Sequence, residues 1–159
     1  ADGVHTEPAL DEKQYLAMTL YGEARGEAHA SRVAVAWVIR NRVQIGRWGN
    51  SYRSVVTARL QFTCWSLKAD PKNYSAIHNP SGAAWTDCQE IARQVIAASP
   101  ASNPVPGATN YYSPKTQSAL HRQNPDLYDE TPDWTDPPAV VVPNPSGVPE
   151  TSFRFYKNV

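Results

Sequence analysis

The sequence predicts an α+β fold, mainly α, with a small β region and a proline-rich C-terminal flank. Three observations carry that reading. Apolar residues recur at spacings of three and four in long stretches before Pro100; short β-prone aromatic segments lie at 61–65, 107–114 and 153–156; and most of the 14 prolines fall from Pro100 onward. A chain of 159 residues fits one domain around a single core, so 1–159 is expected to fold as a unit. Residues 1–10 read as an N-terminal arm and 120–148 as an irregular flank.

Asp11 or a neighbour can cap a first helix running to about Glu23, with Glu12 in its first turn and Gly26 ending it. Leu16, Leu20 and Glu23 share one stripe of that helix, because spacings of four and three return to the same face. The stripe carries a carboxylate toward the core or a cleft beside it. Desolvation there raises its pKa, which makes a glutamic acid a proton donor near neutral pH. Ser31 reads as the cap of a second helix over Arg32–Val43. That helix is apolar almost all round from Val33 to Ile39, hence central and buried, and Arg40 and Arg42 complement its C-terminal dipole before Gly46.

Residues 47–53 read as a loop, and Ser54–Leu60 as a short helix or turn with Val55 and Val56 inward. Gln61–Trp65 reads as a strand or extended loop lining a cleft. Asp70–Gly82 is turn-rich. Trp85, Cys88, Ile91, Ala92, Val95 and Ile96 repeat at helical spacing and predict a third helix over Ala83–Ala98. A proline-rich connection over 99–106 leads to an extended segment at 107–114. A short helix near Leu120, a loop carrying Trp134 and an edge strand at Phe153–Tyr156 complete the pattern.

Fifteen basic and fifteen acidic residues cancel, so no net field draws the chain to nucleic acid. No apolar run reaches membrane-spanning length, and no basic and apolar leader opens the sequence, so neither membrane insertion nor a retained signal peptide is expected. A start at Ala1 without Met reads as a processed chain or an excised domain. Five Trp and eight Tyr suit sugar rings as well as cores. Cys64 and Cys88 allow one intramolecular bridge or two buried thiols, and neither has a metal-ligand partner at the required spacing.

The catalytic classes narrow by elimination. No Gly-x-Ser-x-Gly elbow supports a serine nucleophile, and His5, His29, His78 and His121 lack zinc spacing. No glycine-rich loop precedes a Lys-Ser or Lys-Thr pair. A carboxylate at a helix end facing a cleft remains, and it suits cleavage of a glycosidic bond, where an acid must protonate the leaving oxygen.

Tyr21-Gly22-Glu23-Ala24-Arg25-Gly26-Glu27, then Val33 to Val43, Gln61-Phe62-Thr63-Cys64-Trp65, Gly107-Ala108-Thr109-Asn110-Tyr111-Tyr112 and Phe155-Tyr156-Lys157 resemble the bacterial cell-wall hydrolase family that includes spore-cortex-lytic enzymes. The resemblance runs along roughly residues 12–115 and is weaker at the end. It implies a lysozyme-like, mainly helical fold that cleaves peptidoglycan glycan strands between N-acetylmuramic acid and N-acetylglucosamine. It makes Glu23 the catalytic acid and implies a lytic transglycosylase that leaves 1,6-anhydromuramic ends, needing no metal or cofactor. A hydrolytic lysozyme would need a second carboxylate, about 5–5.5 Å away if retaining and about 6.5–9.5 Å away if inverting. A non-catalytic wall-binding module is the other alternative.

The resemblance also assigns Gln61, Phe62 and Thr63 to the substrate wall. Tyr111 and Tyr112 join them; strand alternation sends one toward the core and the other toward the cleft, with Tyr112 favoured for the cleft. Glu27 is counted with the site, and its structural reading is an ion pair with Arg25, Arg40 or a backbone donor. Asp70 reads as a turn residue, Asp87 as an early-helix acid, and Trp134 as a sugar-stacking residue or a lid plug. Action at the cell wall, in the periplasm or outside the cell, tips Cys64 and Cys88 toward a disulfide. It suggests a domain of a secreted autolysin, a phage endolysin or a phage particle protein, with other domains of a parent chain as partners.

Overall fold

A computed structural model of the chain describes residues 10–159, so the expected arm lies outside the described residues except for Leu10. Helix α1, Glu12–Ala24, starts at a capping box: the Asp11 carboxylate accepts from the Gln14 N–H at 2.8 Å and the Gln14 side chain accepts from the Asp11 N–H at 2.8 Å. Helix α2, His29–Ile45, follows a tight turn. Its N-cap is Ala28, not Ser31; Ser31 is buried inside the first turn, its hydroxyl without a hydrogen-bond partner among the described residues. Gly46, at φ 80°, closes α2 and donates its N–H to the Arg42 carbonyl, a left-handed conformation that costs a glycine little.

Helix α3, Tyr52–Val56, begins earlier than expected because Ser51 and Ser54 form a second capping box. The Glu12 carboxylate also accepts from the N–H groups of Tyr52 and Arg53 at this helix start. Residues 63–65 form a 3-10 turn within the segment expected as a strand or extended loop. The stretch read as turn-rich contains helix α4, Pro71–His78, with Asp70 as N-cap and Pro71 in its first turn. Helix α5, Gly82–Ala97, buries Cys88, Ile91, Ala92 and Val95.

Strand β1, Asn110–Tyr112, is followed by helix α6, Pro114–Gln123, which encloses the short helix expected near Leu120. Strands β2, Val140–Val142, and β3, Arg154–Lys157, complete an antiparallel sheet in the order β1-β3-β2. The last strand is therefore central, not an edge. Its second neighbour comes from a β-branched run inside the proline-rich flank, which otherwise holds the end of α6 and a 3-10 turn at Asp133–Thr135. The chain is thus mainly helical with a small sheet. Among the described residues no helix is long and apolar enough to cross a membrane.

Helix α1 packs against α2, α3, α4 and α5, with Leu16 and Leu20 fully buried. Residues 34–39 of α2 are buried on every side. At Gly22, α4 and the 61–65 segment both lie close against α1. A Cβ there would lie 2.8 Å from Cys64 Cβ and from Ile77 Cγ2, and 2.9 Å from Cys64 Sγ. Gly22→Ala is expected to cost about 1–3 kcal/mol through overpacking, read as a lower midpoint in urea unfolding.

Candidate active site

The stripe of α1 that begins with Leu16 and Leu20 delivers Glu23 to the last turn, where the helix leaves the core and its side chain is half-buried. Tyr111, from β1, donates its hydroxyl to Glu23 Oε1 at 2.6 Å. Desolvation raises the Glu23 pKa above 4.5, outweighing the lowering by the Tyr111 hydrogen bond; nearby Asp70 adds to the rise and Arg42 opposes it. The Tyr111 phenol is itself pushed well above its ordinary value by burial and by the Glu23 charge, so it remains a donor. Its ring meets Phe153 edge-on, with centroids 5.1 Å apart.

This pair gives a pH prediction. The Tyr111 hydroxyl favours the ionised form of Glu23, so Tyr111→Phe should raise the Glu23 pKa further. If Glu23 acts as the acid, the alkaline limb of the kcat/KM profile moves to higher pH in the variant, and a profile measured across neutral pH checks it. An unmoved limb would separate Tyr111 from proton transfer.

Arg42 organises the adjoining wall. It is only 5% exposed, although it lies in the last turn of α2. Its Nε donates to the Thr109 carbonyl at 2.6 Å and its Nη1 to Gln61 Oε1 at 2.9 Å. The guanidinium lies over Trp48 at 4.3 Å and Phe62 at 5.2 Å from the ring centroids. Burial lowers its pKa to about 10, still charged at neutral pH. The preceding Asn41 donates to the carbonyls of Val105 and Ala108, so the end of α2 holds the chain entering β1 and with it Tyr111.

The structure brings some expected site residues together and separates others. Gln61 is exposed and bound by Arg42; Thr63 is exposed and donates a long hydrogen bond to Asp70 at 3.4 Å; Phe62 is 4% exposed, its ring taken up by the core and by Arg42. Tyr111, not Tyr112, reaches Glu23. Tyr112 lies on the other face of the strand, against Trp134 and Tyr156, and Trp134 packs edge-on to both tyrosines. Glu27 pairs with Lys115 of α6 at 2.7 Å, in place of the expected Arg25 or Arg40. Arg25 instead donates to Asn73, whose side-chain amide donates to Asp70. Asp87 does more than begin a helix: burial pushes its pKa up, but hydrogen bonds from His29 and Arg32 outweigh that and hold it below the usual range.

The expected disulfide is absent. Cys64 and Cys88 are both free, buried thiols. Cys64 packs its sulfur against Gly22 of α1, and Cys88 is enclosed in the apolar face of α5. Desolvation raises both, Cys88 to about 11, so neither is a ready thiolate. Among the described residues no cluster of three or more His, Cys, Asp or Glu side chains is placed to hold a metal.

Arg42, Asn73 and Lys115 are the contributors that sequence reasoning missed. For Arg42 a signal existed: it continues the stripe of Val35, Val38 and Ile39, so a buried face ends in a cation. Nothing in the local pattern singles out Asn73 or Lys115, whose partners are distant in sequence.

The model of the family described as Cell Wall Hydrolase matches residues 26–133, beginning just beyond Glu23 and including Gln61 and Tyr111. A spore cortex-lytic enzyme of Halalkalibacterium halodurans is 33% identical over 106 residues, covering 67% of this chain and 28% of that protein. Spore cortex-lytic enzymes of Oceanobacillus iheyensis and Bacillus subtilis are 29% and 31% identical, covering 67% and 65% of this chain and 34% and 30% of theirs. The chain thus spans about a third of the length of these curated relatives. No solved structure matches it. With more than half of its length matched to one family model, this chain belongs to the cell wall hydrolase family.

Proposed function

We propose that the protein cleaves the glycan strands of peptidoglycan between N-acetylmuramic acid and N-acetylglucosamine as a lytic transglycosylase, with Glu23 as its single acid and base. The lysozyme-like description of the fold is part of this proposal, as is action at the cell wall. The observation that carries it is the state of Glu23: a half-buried carboxyl with a raised pKa, bonded by Tyr111 on one oxygen. Glu27, one possible second carboxylate, is occupied by Lys115.

In the first step Glu23 gives its proton to the glycosidic oxygen and the bond from that oxygen to C1 of the muramic residue breaks, releasing the glucosamine 4-hydroxyl. The new carboxylate is stabilised by the Tyr111 hydroxyl and the positive field of Arg42. It then takes the proton of the muramic 6-hydroxyl as that oxygen bonds to C1. Glu23 returns to its acid form and no water is consumed.

A hydrolytic reading draws on Asp70, whose charge already acts on Glu23 and which caps α4 at the edge of the site. Mass spectrometry of digested peptidoglycan separates the two. Anhydromuramic ends, lighter by one water than reducing ends, support the transglycosylase; reducing ends alone reject it.

A further inference from the structure

Beside the wall that carries Gln61 and Thr63 lies a cavity of about 220 Å³ that Glu23 does not line. It is lined by Phe62, Thr63 and Trp65 together with Thr57, Arg59 and Leu60 from the loop after α3. Two features of that loop lack a structural explanation. Leu60 is 76% exposed and sits at φ 64°, a left-handed backbone that a leucine adopts only under constraint and that recurs at ligand clamps. Arg59 is exposed at the cavity, and forms no ion pair or side-chain hydrogen bond with another described residue.

A glycan strand alone has little use for such a cavity. Its N-acetylglucosamine residues are neutral, and its muramic residues hold their lactyl carboxyl in amide linkage to the peptide, so the sugars themselves offer an arginine no charge to meet. The muramic residue of peptidoglycan, however, carries a short peptide on its lactyl group, and that peptide combines alanine methyls with free carboxylates. Resting on the function proposed above, we propose that this cavity is a subsite for the peptide arm of the muramic residue, with Arg59 binding a peptide carboxylate and Leu60 packing on its methyl groups. Thr63 lines the cavity and bonds Asp70, whose charge acts on Glu23, so the arm of a sugar bound at Glu23 has a short way to the cavity. The subsite makes the peptide a determinant of affinity and leaves the chemistry to Glu23.

The test compares soluble peptidoglycan strands with the same strands stripped of peptides by an amidase and then capped as methyl amides at the freed lactyl carboxylates, so that no charge replaces the peptide, using wild type, Arg59→Ala, Arg59→Lys and Arg59→Glu. Wild type is expected to show the lower KM on peptide-bearing strands, by roughly two- to fivefold, the size for one solvent-exposed charge pair. Arg59→Ala should bring that KM up to the value for stripped strands, Arg59→Lys should restore part of the preference, and Arg59→Glu should reverse it, with kcat little changed. Arg59 is exposed, and thermal melts confirm that each variant is folded. Equal KM values for wild type on both substrates, or an Arg59→Ala effect equal on both, would overturn the subsite while leaving the proposed function standing. Failure of wild type to cleave either substrate removes both.

Discussion

Glu23→Gln is expected to abolish glycan cleavage while leaving the protein at least as stable as wild type at neutral pH. Glutamine keeps the shape of the side chain and can still accept the Tyr111 hydrogen bond, but it neither releases nor takes up the proton. General acid–base groups contribute about 10²–10⁴-fold each, and here one carboxyl serves two steps, so a loss of at least about 10³-fold is expected. Stability moves the other way because of burial. The folded-state pKa of Glu23 lies above its ordinary 4.5. Such a group favours the folded state fully below its unfolded value, and this contribution is lost as pH rises through the folded value. Above that window the wild type carries a desolvated carboxylate and the variant a neutral amide. Thermal melts of the two should therefore lie close together below the ordinary glutamate value and diverge with rising pH, the variant melting higher. Turbidity loss of permeabilised cells supplies the activity readout. Equal lysis by both proteins would remove Glu23 from the chemistry, and a melting difference independent of pH would remove the account of its ionisation.

The placement of Glu23 at the edge of the core was legible because three facts about it are local: the helical stripe of Leu16 and Leu20, the glycine that follows at position 26, and the cost of a carboxylate beside a core. The burial of α2 followed from its unbroken apolar run in the same way. Helix α4 was missed although its start signal was present. Asp70-Pro71 reads as a breaker when proline is weighed alone, and as an N-cap and first turn when the pair is weighed together. β3 illustrates a different limit. Alternation shows that Arg154–Lys157 has two faces, but the number of its neighbours depends on where Val140–Val142 comes to rest, among prolines that obscure it. Tyr111 and Tyr112 pose the same difficulty at the site: period two sends them to opposite faces, and only the packing of β1 on β3 and α1 decides which meets Glu23. The cysteines fail for a third reason, since two residues that could pair by composition are each taken up by separate packing, Cys64 against Gly22 and Cys88 on α5.

Arg42→Met should lower both stability and activity, and the two losses have separable causes. Methionine retains an unbranched stem that can lie against Trp48 and Phe62, so packing is partly preserved. What it removes is a buried cation and two hydrogen bonds, to the carbonyl of buried Thr109 and to Gln61. The Thr109 carbonyl then lacks that donor in a place with little access to water, and Gln61 loses the contact that aims its amide. Removing one member of a buried charged network costs about 3–5 kcal/mol, and retained packing should keep the variant near the lower end. For activity the electrostatic sign is decisive. Arg42 favours the carboxylate form of Glu23 against desolvation and Asp70, so without it the Glu23 pKa rises further. Glu23 then holds its proton more tightly and gives a less stabilised carboxylate, so kcat falls, about tenfold or more, while the alkaline limb of kcat/KM moves to higher pH. Arg42→Lys should rescue the pH profile more than the stability, because an ammonium supplies the charge but cannot span Thr109 and Gln61 in the planar geometry of a guanidinium. Urea unfolding and pH–rate profiles of both variants test this division. A variant equally unstable but with an unmoved pH limb would reduce Arg42 to a packing residue; a moved limb restored by lysine establishes it as a positioning residue acting through Glu23.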